Sequence, residues 1–323
     1  MTIQLLRRHY LKAALVLVLV FSTAACNEKA EQPQGLKVVA TTNILGDVVR
    51  NIVAEDGSVE VLIPIGADPH DFQPSARQIA TVATADLVIA NGLGLEEGLL
   101  DVLESAVSDG VNVIFLGELL DPLPFNDSGS HDHESDDHES DDHESDDHES
   151  DPHIWMDPDR MAIAAQIIGE SLLSLEPSVN WLSRSQAYAE ALREADSQIR
   201  SLLSRVPEAQ RKLVTNHDSL GYFSASYGFE VIGVVIPKGT TLAEPSSSRL
   251  ADLIDDIRQE NISAIFVETT ESDNLARSIA EETATPVQIV EIYTGSLGGS
   301  GSGAETLIEM LITNARLIAE ALS

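Results

Sequence analysis

The chain has 323 residues, 43% of them hydrophobic, which suffices for two domains with packed cores. Its 53 acidic residues against 19 basic ones leave a net charge of -34, which repels a phosphate backbone and argues against nucleic acid as a partner. A single cysteine rules out an internal disulfide.

Arg7, Arg8 and Lys12 accompany an apolar run, Leu11 to Phe21, that is too short for a good membrane span. The run ends in Ser22-Thr23-Ala24-Ala25-Cys26, small residues leading to the cysteine. This looks like a bacterial lipoprotein cleavage site. Residues 1–26 are therefore expected to be a signal peptide, with Cys26 lipid-modified and anchoring the mature chain outside the cytoplasmic membrane. A plain secretory signal cut near Ala25 is the alternative. Residues 27–35, polar with Pro33 and Gly35, read as a tether.

Four strand–helix units follow. Strand-like runs are Leu36–Thr41, Val59–Pro64, Leu87–Ala90 and Val111–Leu116. Helical patterns are Ile44–Ala54, Ala76–Ala85, Leu95–Val107 and Asp159–Leu175. The second half repeats the rhythm, with strands at Lys212–Thr215, Glu230–Val235, Ala264–Glu268 and Val287–Ile292. Its helices are expected at Ser219–Tyr227, Ser247–Glu260, Asn274–Thr283 and Glu305–Leu322. Alternation of this kind predicts α/β lobes, each with a parallel sheet of about four strands flanked by helices. Between them, Val179 to Val206 has no Gly or Pro and carries Trp181, Tyr188, Leu192 and Ile199 at helical intervals. About 28 helical residues would span ~42 Å, more than one lobe needs, so one long helix is expected to join the two. The divisions are an N-terminal lobe at 36–177, a linking helix at 178–206 and a C-terminal lobe at 207–323.

The first lobe is interrupted at 127–151 by a tract in which Asp-Asp-His-Glu-Ser recurs. It holds His131, His133, His138, His143 and His148. A five-residue period puts successive histidines ~140° apart on a helix, so no helical face collects them. The tract is expected to be disordered without metal and to bind metal as an auxiliary site. Acids alone would serve solubility.

Nine histidines are present. His9 falls in the signal and five fall in the tract. The folded body keeps His70, in Ala67-Asp68-Pro69-His70, His153, in Asp151-Pro152-His153, and His217, in Thr215-Asn216-His217-Asp218. All three are expected in loops at strand-to-helix edges, His217 directly after a strand at the start of a helix. Ligands of α/β sheets bind beyond the carboxyl ends of strands. Three imidazoles there, beside a His-rich tract, point to a borderline-soft divalent cation, above all Zn²⁺.

Several stretches carry a resemblance to the solute-binding proteins of zinc and manganese ABC importers. They are Gly66-Ala67-Asp68-Pro69-His70 with Pro74, Asn91-Gly92-Leu93-Gly94-Leu95-Glu96, Asp151 through Pro158, His217-Asp218 with Tyr222-Phe223 and Tyr227-Gly228, and Ile265-Phe266-Val267-Glu268. The resemblance covers nearly all of residues 36 to 323. It implies two lobes joined by a long helix, with metal in the cleft between them. It places the first two ligands on His70 and His153 and the third on His217. Manganese-type members commonly have Glu at the third position, so His217 favours zinc over Mn²⁺. It implies delivery to an ABC permease, and a monomer is expected. Many members place an Asp ligand where this chain has Gly295. The fourth position is therefore open to water, Glu268, Asp218 or a group from the tract.

Competing readings are an extracytoplasmic zinc buffer or adhesin, and a zinc enzyme with an open three-histidine site. No His-Glu-x-x-His helix supports the enzyme. Gly92 to Gly98 nearly matches a dinucleotide fingerprint, but its last gap is one residue too long. Residues 298–303 read as a flexible loop beside the cleft.

Overall fold

The computed structural model describes residues 35–125, 150–236, 241–243 and 245–323. Cys26 and the five tract histidines lie outside the described residues, as do the signal and most of the tether.

Strands β1 (Leu36–Ala40), β2 (Gly57–Val61), β3 (Leu87–Ala90) and β4 (Val113–Phe115) form one parallel sheet in the order β2-β1-β3-β4. Strands β5 (Lys212–His217), β6 (Glu230–Ile236), β7 (Ala264–Glu268) and β8 (Gln288–Ile292) form a second, again all parallel, in the order β6-β5-β7-β8. Both sheets thus reverse strand order at the same place, beside their first strand. Such a switch point opens a crevice at the strands' carboxyl ends.

The helices are α1 (Asn43–Val53), α2 (Ala76–Val82), α3 (Leu100–Ser108), α4 (Pro158–Leu175), α5 (Trp181–Leu203), α6 (Gly221–Tyr227), α7 (Ser247–Gln259), α8 (Asn274–Glu282) and α9 (Leu307–Ala321). Their starts follow local chemistry. Thr42 caps α1 by accepting from Leu45 N, and Asp157 caps α4 with Pro158 at the first helical position. Ser75 with Gln78 and Thr306 with Glu309 form capping boxes on α2 and α9. No helix among the described residues is long and apolar enough to cross a membrane.

Side chains alternate across each strand, and the two faces enter different cores. Val38 and Ala40 face one core and Val39 the other; Ala264 and Phe266 likewise separate from Ile265 and Val267. The outer faces are covered locally: Val39, Val88 and Ala90 meet Leu99 and Leu103, while Ile265 and Val267 meet Leu253 and Ile257. The inner faces share one continuous core that runs from Val38 to Leu322.

Helix α5 lies along that shared core. Its buried stripe is Trp181, Ser185, Tyr188, Ala189, Leu192, Ala195, Ile199 and Leu203. It packs on α1 and α4 from the first half and on α9 from the second. At 23 residues it is about 35 Å long, shorter than the sequence suggested. Val179 and Val206 fall outside it. The α4–α5 crossing is tight, since a Cβ at Gly169 would lie 2.3 Å from Ser185 Oγ.

Candidate metal centre

His70, His153 and His217 meet beyond the carboxyl ends of the strands, each no more than 2% exposed. One ligand atom from each lies within 4.8 Å of the other two. His70 comes from the turn between β2 and α2, and His153 from the turn entering a 3-10 segment, Ile154–Met156. His217 is the last residue of β5, paired with Ile236; the expectation that it opens a helix is wrong by four residues, because α6 starts at Gly221.

Two of the three histidines are presented by the same tripeptide. In Asp68-Pro69-His70 the backbone N–H of His70 donates to Asp68 Oδ1 at 2.9 Å. In Asp151-Pro152-His153 the N–H of His153 donates to Asp151 Oδ1, also at 2.9 Å. Each is an aspartate-closed turn with proline fixing the middle residue, so the sequence alone builds a rigid perch for the imidazole. Asn91 Nδ2 anchors the second perch through Pro152 O at 2.9 Å.

Carboxylates also aim two of the rings. Asp151 Oδ1 lies 2.7 Å from His153 Nδ1. Glu268 Oε1 lies 2.6 Å from His217 Nδ1, an ion-pair contact rather than a well-aligned hydrogen bond. Both place the proton on Nδ1 and turn Nε2 toward the centre. The two Nε2 atoms face each other at 3.1 Å. A tetrahedral zinc bonded to two imidazoles at 2.0–2.1 Å would hold the nitrogens about 3.3 Å apart, so this pair stands close to ligand spacing. Gly221 makes room for the first carboxylate, since a Cβ there would come 2.4 Å from Asp151 Oδ2.

His70 differs. Among the described residues neither of its ring nitrogens has a hydrogen-bond partner, and both are buried. Its ring centroid is 5.6 Å from each of the other two, against 4.9 Å between His153 and His217. A buried imidazole with two unmet nitrogens costs free energy unless something else binds it, and a cation is the natural occupant.

Electrostatics follow this geometry. Burial, with His153 and His217 opposite, pushes His70 down to about 2, so it is neutral and a free donor at pH 7. Burial also works downward on His217, but Glu268, Glu271 and Asp218 outweigh it and raise His217 to about 9. Burial works upward on Glu268, but His217, Thr294 and His153 outweigh it and hold the carboxyl at about 2. Burial and Asp151 raise Asp218 to about 6; burial and Glu268 raise Glu271 to about 7.

Both halves supply the remaining walls. Trp155 stacks edge-on against His153 at 5.3 Å and donates Nε1 to Thr294 O at 2.7 Å. A Cβ at Gly295 would stand 3.2 Å from Glu268 Oε2 and 3.4 Å from Pro69 Cδ. Position 295 therefore borders the centre and contributes no donor.

The glycine-rich turn at 92–98 folds around its own acid, which occupies the Gly92 amide. Glu96, buried, accepts from Asn91 N at 2.8 Å, from Gly92 N at 3.1 Å and from Thr41 Oγ1 at 2.5 Å. The orienting role of Asp151 went unread in the sequence, although its repeated Asp-Pro-His setting was the available signal.

Known proteins share this two-sheet fold. The family model described as zinc-uptake complex component A, periplasmic, matches residues 38–321. The chain is 28% identical over 315 residues to the manganese-binding lipoprotein MntA of Halalkalibacterium halodurans, covering 96% of this chain and 97% of that one. It is 30% identical over 325 residues to the iron-binding protein YfeA of Yersinia pestis, covering 96% of each. The periplasmic zinc-binding protein TroA of Treponema pallidum superposes with a TM-score of 0.76 at 28% identity, over 90% of this chain and 99% of that one. Two parallel four-stranded sheets, one long helix and a buried ligand cluster between them place the chain in the periplasmic zinc-uptake component A family, the extracytoplasmic metal-binding proteins that serve ABC transporters.

Proposed function

We propose that this protein captures Zn²⁺ outside the cytoplasmic membrane on His70, His153 and His217 and hands it to an ABC permease. The observation that carries the reading is the convergence of three buried imidazoles, two of them with carboxylates on Nδ1 and Nε2 atoms 3.1 Å apart. Similar proteins are named for manganese, iron and zinc. The donor set favours zinc, since three imidazole nitrogens with Gly295 in the wall suit it better than the oxygen-rich sets that manganese takes. Water completes the fourth position. Glu268 and Asp151 are engaged on the histidine rings and act through them.

The same reading assigns residues 1–26 to a signal with Cys26 lipidated, 27–35 to a tether, 36–177 and 207–323 to the two lobes, and 178–206 to their link. The protein works as a monomer, and the tract histidines gather zinc as a separate, weaker store. A zinc hydrolase would need a base free to activate a bound water. The two carboxylates that touch the histidines are already engaged.

The test is zinc, manganese and iron(II) titration of a chain lacking 131–150, by competition with a chromophoric chelator. One tight zinc site should remain. His70→Ala, His153→Ala and His217→Ala should each weaken it at least a hundredfold, on the scale of a lost ligand. Wild-type zinc affinity in all three variants would refute the assignment.

A further inference from the structure

We infer that Asp68 and Thr241 form a clasp across the cleft that positions His70 and sets the rate at which metal leaves; this rests on the three-histidine reading above. His153 and His217 are aimed through their side chains, each by a carboxylate on Nδ1. Among the described residues His70 has no such partner, and it is placed through its backbone, whose N–H donates to Asp68 Oδ1. Where His70 stands is thus decided by where the Asp68 carboxylate stands.

That carboxylate is held from the opposite half of the molecule. Thr241 Oγ1, in the segment after β6, donates to Asp68 Oδ2 at 2.5 Å, across 173 residues of sequence. One carboxylate therefore joins the two sides, with one oxygen on the His70 amide and the other on the far hydroxyl. A second bond ties the same turn, from Gly66 N to Ser296 Oγ at 2.8 Å, next to Gly295. The turn carrying His70 is bracketed by groups from the second half, while His153 and His217 are fixed without it.

The consequence is an ordered centre. His153 and His217 already stand near ligand spacing and can receive the ion first. His70 sits farther out and completes the set when its turn is drawn against the second half. Escape reverses the order, so the clasp opposes dissociation more than it aids capture. Asp68 and Thr241 are positioning residues and do not touch the ion.

The experiment uses the full mature chain with Zn²⁺ as the probe. Dissociation is followed by stopped flow into excess chelator and association by direct mixing. Thr241→Val keeps the shape and removes the donor. It should speed dissociation roughly ten- to a hundredfold, the range for a hydrogen bond to a charged group, with a smaller effect on association. Thr241→Ser restores the hydroxyl and should return the rate toward wild type. Asp68→Ala removes the acceptor, and the Thr241→Val/Asp68→Ala double variant should dissociate no faster than Asp68→Ala alone. Circular dichroism of each apo variant reports folding. A Thr241→Val rate equal to wild type, a Thr241→Ser rate equal to that of Thr241→Val, or additive effects in the double variant would overturn the clasp. If wild type and His70→Ala release zinc alike, the three-histidine reading itself falls, a result distinct from failure of the clasp alone.

Discussion

Glu268→Gln separates two opposing effects of one carboxylate. In the empty site Glu268 is the main group holding His217 up at about 9 against burial. Metal needs the bare Nε2 and a ring carrying one proton, so at pH 7 binding must expel a proton held two pH units tighter. At 1.36 kcal/mol per unit this costs roughly 3 kcal/mol, on the order of a hundredfold in affinity. With metal bound, the same carboxylate orients the ring and raises its basicity, and loss of such a partner weakens metal binding 10–100-fold. Glutamine keeps an acceptor for Nδ1–H and removes the charge, so His217 falls toward its ordinary 6.5. Near pH 7 the two effects nearly cancel, and the variant should bind within about tenfold of wild type. The pH profile tells them apart. Wild-type affinity should climb about tenfold per pH unit from 7 to 9, whereas the variant should be nearly flat there and weaker by the full 10–100-fold at pH 9. Calorimetry in buffers of different ionisation enthalpy should count about one proton released by wild type at pH 7.5 and close to none by the variant. Parallel profiles, or equal proton counts, would refute the idea that Glu268 stores a proton on His217.

The empty protein should also weaken in acid through His70. Its pKa lies far below the 6.5 of the unfolded chain, so its contribution is intact above pH 6.5 and is lost as pH falls below it. The loss should reach about 2 kcal/mol at pH 5, read by urea unfolding, and His70→Leu should remove that part of the slope. Trp181 is fully buried at the head of α5, with Nε1 donated to Glu176 O at 2.8 Å. Trp181→Ala should cost about 3–5 kcal/mol in urea unfolding; a loss under 1 kcal/mol would mean that the helix is not anchored there.

The strands were legible because short unbroken apolar runs report two buried faces. Val38-Val39-Ala40 and Ala264 to Val267 each send successive residues to different cores. Strands β3 and β7 match their expected bounds. Strand β5 was expected to stop at Thr215, since Asn and His read as loop. It continues to His217 because Thr215 Oγ1 donates to His217 O at 2.7 Å and Asn216 Oδ1 accepts from Glu268 N at 3.1 Å. Polar residues can finish a buried strand when neighbours satisfy them. Helix α3 was expected from Leu95 but begins at Leu100, because buried Glu96 is drawn back onto the amides of Asn91 and Gly92.

The three body histidines could be picked out by elimination, since the other six lay in the low-complexity tract or in the N-terminal stretch read as a signal. Their partners could not. Glu268 comes from another strand, and Thr241 reaches Asp68 from the opposite half. Periodicity says which face of an element is apolar; it carries no record of which loop meets which across a cleft.

The inner faces of both sheets and the stripe of α5 fuse into one apolar interior. Amputating the polypeptide at Pro177 or Pro207 would strip α5 from one side and bare a row of tryptophan, leucine and isoleucine to water. Neither fragment can be excised as a free-standing module. The described chain should therefore melt in a single transition, with the three-histidine cluster set beside this shared interior.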